Sequence, residues 1–158
     1  MAETIDFFLN GELVSVQCPE NETLLYLLRE RVGLRSVKEG CGVGECGACT
    51  VLLEGRAVNA CLLAAGKVRG RRVTTIEGLS PKGRLHPLQE GFLLMGAVQC
   101  GFCTPGLILA AHSLLEENPH PSREAIVQGL AGNLCRCTGY HDIIRAVKWA
   151  AKRMPERE

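Results

Sequence analysis

Nine cysteines in 158 residues constrain this chain more than any other feature. Eight of them fall into two sets, Cys41, Cys46, Cys49 and Cys61, then Cys100, Cys103, Cys135 and Cys137, while Cys18 stands apart. An odd count leaves at least one thiol outside any scheme of disulfides alone. The opening MAETIDFFLNGE carries neither the basic n-region nor the apolar h-region of a secretory signal, and no apolar run reaches the roughly 18 residues of a spanning helix. The expected location is therefore the cytoplasm, where reductants keep ordinary thiols unpaired. Metal binding becomes the leading explanation for so many cysteines. Aromatic residues make up only 4% of the chain, so the core must come largely from Leu, Val and Ala, and a small core of that kind gains from metal staples. A formal net charge of +1 gives no electrostatic reason to expect nucleic acid or an anionic bilayer as partner.

The first set has the spacing C-x4-C-x2-C-x11-C. Its first three members match the spacing of plant-type 2Fe-2S proteins. A loop of this kind must wrap a compact cluster, turn three thiolates inward and bring backbone amides close to sulfur. Gly40, Gly42, Gly44 and Gly47 interleave the cysteines and permit that backbone, whose amides would stabilise negative charge. A structural zinc site is the alternative. The second set reads C-x2-C and, 31 residues later, C-x1-C. Each pair directly precedes an expected helix start, where free N–H groups favour a thiolate and an anionic centre. Zinc stays open for this set taken alone, although zinc ribbons and fingers use C-x2-4-C in both pairs. No Cys-x-His pair occurs, which argues against a Rieske centre.

Other candidates carry less. Cys18, next to Pro19, reads as a spare thiol. His86, His112, His120 and His141 have no metal spacing and suit surface or capping roles. Lys67, Arg69, Arg71 and Arg72 read as a solvated loop rather than a dock for an acidic partner. Trp149 is expected to pack on a neighbouring helix or interface. No nucleotide cradle, Ser/His/Asp set or paired-carboxylate arrangement is evident, so the chain lacks machinery for bond chemistry of its own.

The pattern along the chain changes once. Ile5, Phe7 and Leu9 alternate as a strand, Asn10-Gly11 signals a tight hairpin, and Leu13 to Gln17 returns. Thr23 is placed to cap a helix over Leu24, Leu25, Leu27, Leu28 and Val32 that stops at Gly33. Strands are expected at Thr50 to Leu53, in a short segment that follows a Gly55 turn and reaches Cys61, and at Arg72 to Ile76. From His86 the period becomes helical, with Leu88, Phe92 and Met95, then a helix started by Thr104 as cap and Pro105, with Leu107, Ala111, Leu114 and Leu115 inward. Ser122 caps a third helix and Tyr140 to Arg153 supplies a fourth. The expectation is an α+β protein with two domains, 1–80 and 81–158, joined through the exposed segment SPKGRLHP.

EGCGVGECGACTV, NAC, QCGFCTPG and GNLCRCTGY, taken together and in this order, resemble the small iron–sulfur subunit of the xanthine dehydrogenase and aldehyde oxidoreductase family of molybdenum hydroxylases, from about Ile5 to Trp149. The resemblance implies a β-grasp ferredoxin domain followed by a four-helix bundle, each holding one 2Fe-2S cluster. It implies that the cluster on Cys100, Cys103, Cys135 and Cys137 lies next to molybdopterin on a large subunit, with Gln99 and Cys137 close to the pterin. The cluster on Cys41, Cys46, Cys49 and Cys61 would pass electrons to FAD on a medium subunit, in a dimer of heterotrimers. A free two-cluster carrier and a zinc-stapled interaction module are the rival readings.

Overall fold

The structure is a computed structural model that describes residues 2–80 and 83–154. Pro81 and Lys82 of the expected linker lie outside the described residues.

Five strands form one mixed sheet: β1 (Ala2–Leu9), β2 (Glu12–Pro19), β3 (Thr50–Leu53), β4 (Arg56–Asn59) and β5 (Arg72–Thr74). Their spatial order is β2-β1-β5-β3-β4, with β1 and β5 parallel and the other neighbours antiparallel. Both hairpins close through two residues at positive φ. Asn10 and Gly11 take 52° and 90°, and Glu54 and Gly55 take 50° and 82°. This primed geometry suits the twist of paired strands, which is why Leu9 meets Glu12 and Leu53 meets Arg56 in register. Glu54 tolerates its unusual backbone because its carboxylate grips the Arg72 backbone amide at 2.7 Å and the Arg72 guanidinium at 2.9 Å.

One helix crosses the sheet. α1 (Leu24–Tyr26) begins where Thr23 Oγ1 accepts the Tyr26 amide at 3.1 Å, and it continues as a wider π-type turn over Leu27–Arg31. Leu24, Leu27 and Leu28 are fully buried against Ile5, Phe7, Val51 and Val73. Burying an aliphatic side chain stabilises by roughly 1.5–3 kcal/mol, so this leucine face alone anchors the helix.

Four helices make the second half: α2 (Pro87–Leu94), α3 (Thr104–Glu117), α4 (Arg123–Gly129) and α5 (His141–Ala151). They share a core of Leu88, Phe92, Leu107, Ile126, Ile143 and Val147, and Trp149 packs against it. Ser122 Oγ caps α4 by accepting the Ala125 amide at 3.1 Å, and His86 Nδ1 caps α2 by accepting the Leu88 amide at 3.2 Å. The two halves meet where α3 lies on β3 and β4, and Ser113 Oγ accepts the Ala57 amide at 3.1 Å. Leu52 of the sheet and Leu79 belong to the helical core.

Several sequence expectations need correction. β4 stops at Asn59, and Cys61 sits on a 3-10 turn (Ala60–Leu62) that bends the chain back toward the glycine loop. β5 ends at Thr74, because Ile76 starts another 3-10 turn. Thr104 is the first helical residue rather than the cap; Cys103 holds the cap position without any side-chain bond. Leu114 is only partly buried, whereas Gly106 to Ala111 are buried all round, since α3 is covered by the sheet as well as by helices.

Candidate metal centres

The chain between α1 and β3 is an irregular loop held at both ends. Lys38 and Ala48 are hydrogen-bonded across its neck, and Asn59 Nδ2 donates to Gly44 O at 2.9 Å. Gly44 and Gly47 take φ of 84° and 68°, which side chains rarely adopt. Gly40 serves close approach instead, since a Cβ there would lie 2.7 Å from Cys46 Sγ. The result is a concave row of amides. Val43, Glu45 and Cys46 donate N–H to Cys41 Sγ at 3.4, 3.2 and 3.4 Å, and the Cys41 amide donates to Cys46 Sγ at 3.4 Å. These amides, led by that of Val43, pull the exposed Cys41 thiol down to about 6. The string Gly42 to Gly47 has the glycine spacing of a dinucleotide loop, but no strand feeds it, no helix follows it, and its amides face sulfur.

Cys49 and Cys61 face each other from beneath, 3% and 7% exposed. Burial first, and then the neighbouring Cys61 thiol, push Cys49 up to about 12.

In the helical half the sulfurs again stand in twos. Cys137 Sγ lies 3.6 Å from Cys100 Sγ, both exposed, and Cys103 lies against Cys135. Burial followed by contact with Cys135 pushes Cys103 up to about 12. Burial also acts to raise Cys135, but hydrogen bonds from the Thr138 hydroxyl at 3.1 Å and the Thr138 amide at 3.4 Å help to bring it below the ordinary thiol value. Cys137 is raised, chiefly by its contact with the Cys100 thiol. The four cysteines, with Phe102, Leu134 and Arg136, line a cavity of ≈ 300 Å³.

Both sites therefore present two close thiol pairs: Cys41 with Cys46 and Cys49 with Cys61, then Cys100 with Cys137 and Cys103 with Cys135. Among the described residues no three His, Cys, Asp or Glu side chains converge as a single bound ion would require. A tetrahedral zinc wants all four sulfurs around one point. A binuclear iron–sulfur unit takes two thiolates at each iron, so the donor sets fit the latter.

The remaining candidates fall where their chemistry suggests. Gln99 is exposed beside Cys100. Cys18 is fully buried in the sheet-side core, the same core that holds Cys49 and Cys61. Arg69 is hydrogen-bonded to Thr4 O and to the Glu20 carboxylate, and Arg72 pairs with Glu54, so half of the basic run is engaged within the chain.

Two residues at the sites carry no signal in the sequence pattern beyond membership of GNLCRCTGY. Tyr140, at φ 68° before α5, receives the Cys135 amide on its hydroxyl at 2.7 Å and donates to Asn133 O at 3.0 Å. Asn133 is buried between the two cysteine loops, and beside it the Leu134 amide donates to Cys46 O at 2.8 Å. The contacts of Asn133 and Leu134 with the first cysteine loop join residues more than 80 apart and leave no periodic trace.

Residues 7–72 match a family described as 2Fe-2S iron-sulfur cluster binding domain, and residues 75–148 match a [2Fe-2S] binding domain. The chain is 51% identical over 150 residues to the nicotinate dehydrogenase small FeS subunit of Eubacterium barkeri, covering 95% of this chain and 96% of that one. It is 48% identical over 147 residues to the xanthine dehydrogenase iron-sulfur-binding subunit of Escherichia coli O157:H7, covering 91% of each. In three dimensions it resembles the aldehyde oxidoreductase of Desulfovibrio desulfuricans, with a TM-score of 0.92 and 45% identity over 96% of this chain and 17% of that longer one. Two cluster-binding domains in tandem, over the length of whole small subunits, place it: the chain belongs to the small iron–sulfur subunits of the xanthine dehydrogenase and aldehyde oxidoreductase family of molybdenum hydroxylases, electron-transfer components of oxidoreductases.

Proposed function

We propose that Cys41, Cys46, Cys49 and Cys61 hold one 2Fe-2S cluster and that Cys100, Cys103, Cys135 and Cys137 hold the other, in domains that divide near residue 80. The observation that carries this reading is the two-plus-two arrangement of thiols at each site. Each bound cluster would supply one-electron exchange at low potential. The protein's own part is to hold charge and exclude water. The Val43, Glu45 and Cys46 amides face the Cys41 sulfur and offset negative charge there. Buried Cys49 and Cys61 keep solvent from the inner side of the same site. The Thr138 hydroxyl and amide do for Cys135 what the glycine loop does for Cys41.

In this reading the subunit relays electrons from molybdopterin on a large subunit, through the helical half and then the sheet half, to FAD on a medium subunit. Gln99, exposed beside the outer thiol pair, and Cys137, an exposed member of it, would face the pterin. The complex would be a cytoplasmic dimer of heterotrimers.

Purification of the native complex with iron, sulfide, molybdenum, flavin and pterin analysis tests the partners and cofactors together. Recovery of the chain alone from cells making all its neighbours, with full clusters and no molybdenum protein, would establish a free carrier instead. The ligand sets are tested separately. Cys46→Ser should remove the iron of the sheet-side site, and Cys103→Ser that of the helical site, each leaving the other cluster's visible and paramagnetic signature. A colourless wild-type protein with bound zinc would sink the assignment.

A further inference from the structure

The loop that carries Cys46 and the loop that carries Cys135 touch, and one amide side chain is enclosed between them. Asn133 is 7% exposed, and its Nδ2 donates to Gly47 O at 2.9 Å and to Thr50 Oγ1 at 3.1 Å. Gly47 follows Cys46, and Asn133 stands two residues before Cys135. The neighbouring Leu134 amide reaches Cys46 O at 2.8 Å, so only the backbone of Leu134 separates Cys46 from Cys135 across this contact.

The fit leaves no slack. A Cβ on Gly47 would stand 2.3 Å from Gly132 O and 2.6 Å from Asn133 Nδ2. A Cβ on Gly106, in the first turn of α3, would stand 2.5 Å from Gly47 O. Gly47 is thus gripped from two sides by the helical half. A side chain that merely filled this space could be apolar. A buried amide instead fixes direction, because its donors must meet Gly47 O and Thr50 Oγ1 or lose their partners.

Resting on the ligand assignment above, we propose that Asn133 is a positioning residue that sets the separation and relative orientation of the two cluster sites. Electron transfer between two centres falls steeply as the gap widens, so a latch at the contact of their ligand loops acts on the relay without touching either cluster. The latch comprises Asn133 as donor, Gly47 as acceptor and Gly106 as the small residue that lets the two halves close.

The test uses the intact purified complex carrying Asn133→Asp, which keeps size and shape but turns an acceptor toward Gly47 O, and Gly106→Ala, whose Cβ would stand 2.5 Å from Gly47 O and 3.3 Å from Asn133 Nδ2 and so presses on the latch while leaving its amide in place. The readout is the low-temperature paramagnetic resonance spectrum of the reduced protein, in which two nearby reduced clusters split each other's lines, together with iron and sulfide content. Both variants should retain full iron and sulfide and the separate line positions of each cluster, and lose or clearly change the splitting. Wild-type splitting in a fully loaded variant overturns the proposal. So does loss of iron from one site alone, because Asn133 would then serve one loop rather than the spacing. Should Asn133→Asp fail to accumulate, the spectrum of Gly106→Ala decides. A wild-type chain short of the iron of two clusters would sink the ligand reading, a failure distinct from unchanged splitting.

Discussion

At the scale of single residues, the side chains around the cysteines do more than their burial suggests. Tyr140 sits at a backbone angle that non-glycine residues seldom adopt, and its hydroxyl is both acceptor from Cys135 and donor to Asn133. Tyr140→Phe keeps the ring packing and strands both partners. It should cost about 1–3 kcal/mol of stability in chemical denaturation and loosen the iron of the helical site before that of the sheet-side site. Cys18 supplies the contrast, being fully buried among Ile5, Phe7 and Leu28 with burial raising its thiol. Cys18→Ala should cost roughly 1 kcal/mol and leave iron content unchanged. His86 gives the pH dependence. Burial first, and then the nearby His112 ring at 5.1 Å, push it down to about 4, so it caps α2 as the neutral ring. The unfolded chain binds this proton near pH 6.5 and the folded chain only near 4, so the stability it contributes is present above 6.5 and lost as pH falls toward 4. Melting followed at pH 7 and pH 5 should show the drop, and His86→Asn, which caps but does not titrate, should flatten it.

At the scale of elements, local rules place most of the structure. The Asn10-Gly11 turn, the Thr23 and Ser122 caps and the periodic leucines are visible in the sequence because each acts over a few residues. The misjudged ends have a common cause. Cys61 and Ile76 are apolar and follow strands, yet the chain must leave the sheet there to return to the glycine loop and to reach the helical core. Thr104 has a capping hydroxyl, but Cys103 takes the cap position, where it stands next to Cys135. Helix pairing hides a second demand. Gly91 of α2 faces Ala146 O of α5, where a Cβ would lie only 2.7 Å away, with the Trp149 ring at 3.2 Å. Gly91→Ala gains up to about 1 kcal/mol of helix propensity, yet overpacking at such a contact costs about 1–3 kcal/mol. The melting temperature should therefore fall, opposite to the effect of the same change on an exposed helix face.

At the scale of the whole molecule, the packing of α3 on β3 and β4 joins two halves that each have their own hydrophobic core. The exposed faces are uneven. Val43 and Leu62 stand out beside the glycine loop, while Phe102 and Leu134 stand out around the Cys100 site. In the proposed relay the exposed Cys41 and the exposed Cys100 and Cys137 would form the ends. Cysteine spacing, glycine placement and the change of period from two to nearly four were sufficient, in the sequence, to indicate the α+β class and two thiol sets, because each is a short-range geometric demand on neighbouring residues. The pairing of sulfurs within each set and the burial that raises the Cys49 and Cys103 thiols were decided by tertiary structure. So was the closure of Asn133 and Gly106 on Gly47. Those features depend on segments that meet only in the folded chain, and in the case of Asn133 on partners more than 80 residues away, where the packing of the two halves fixes the distance.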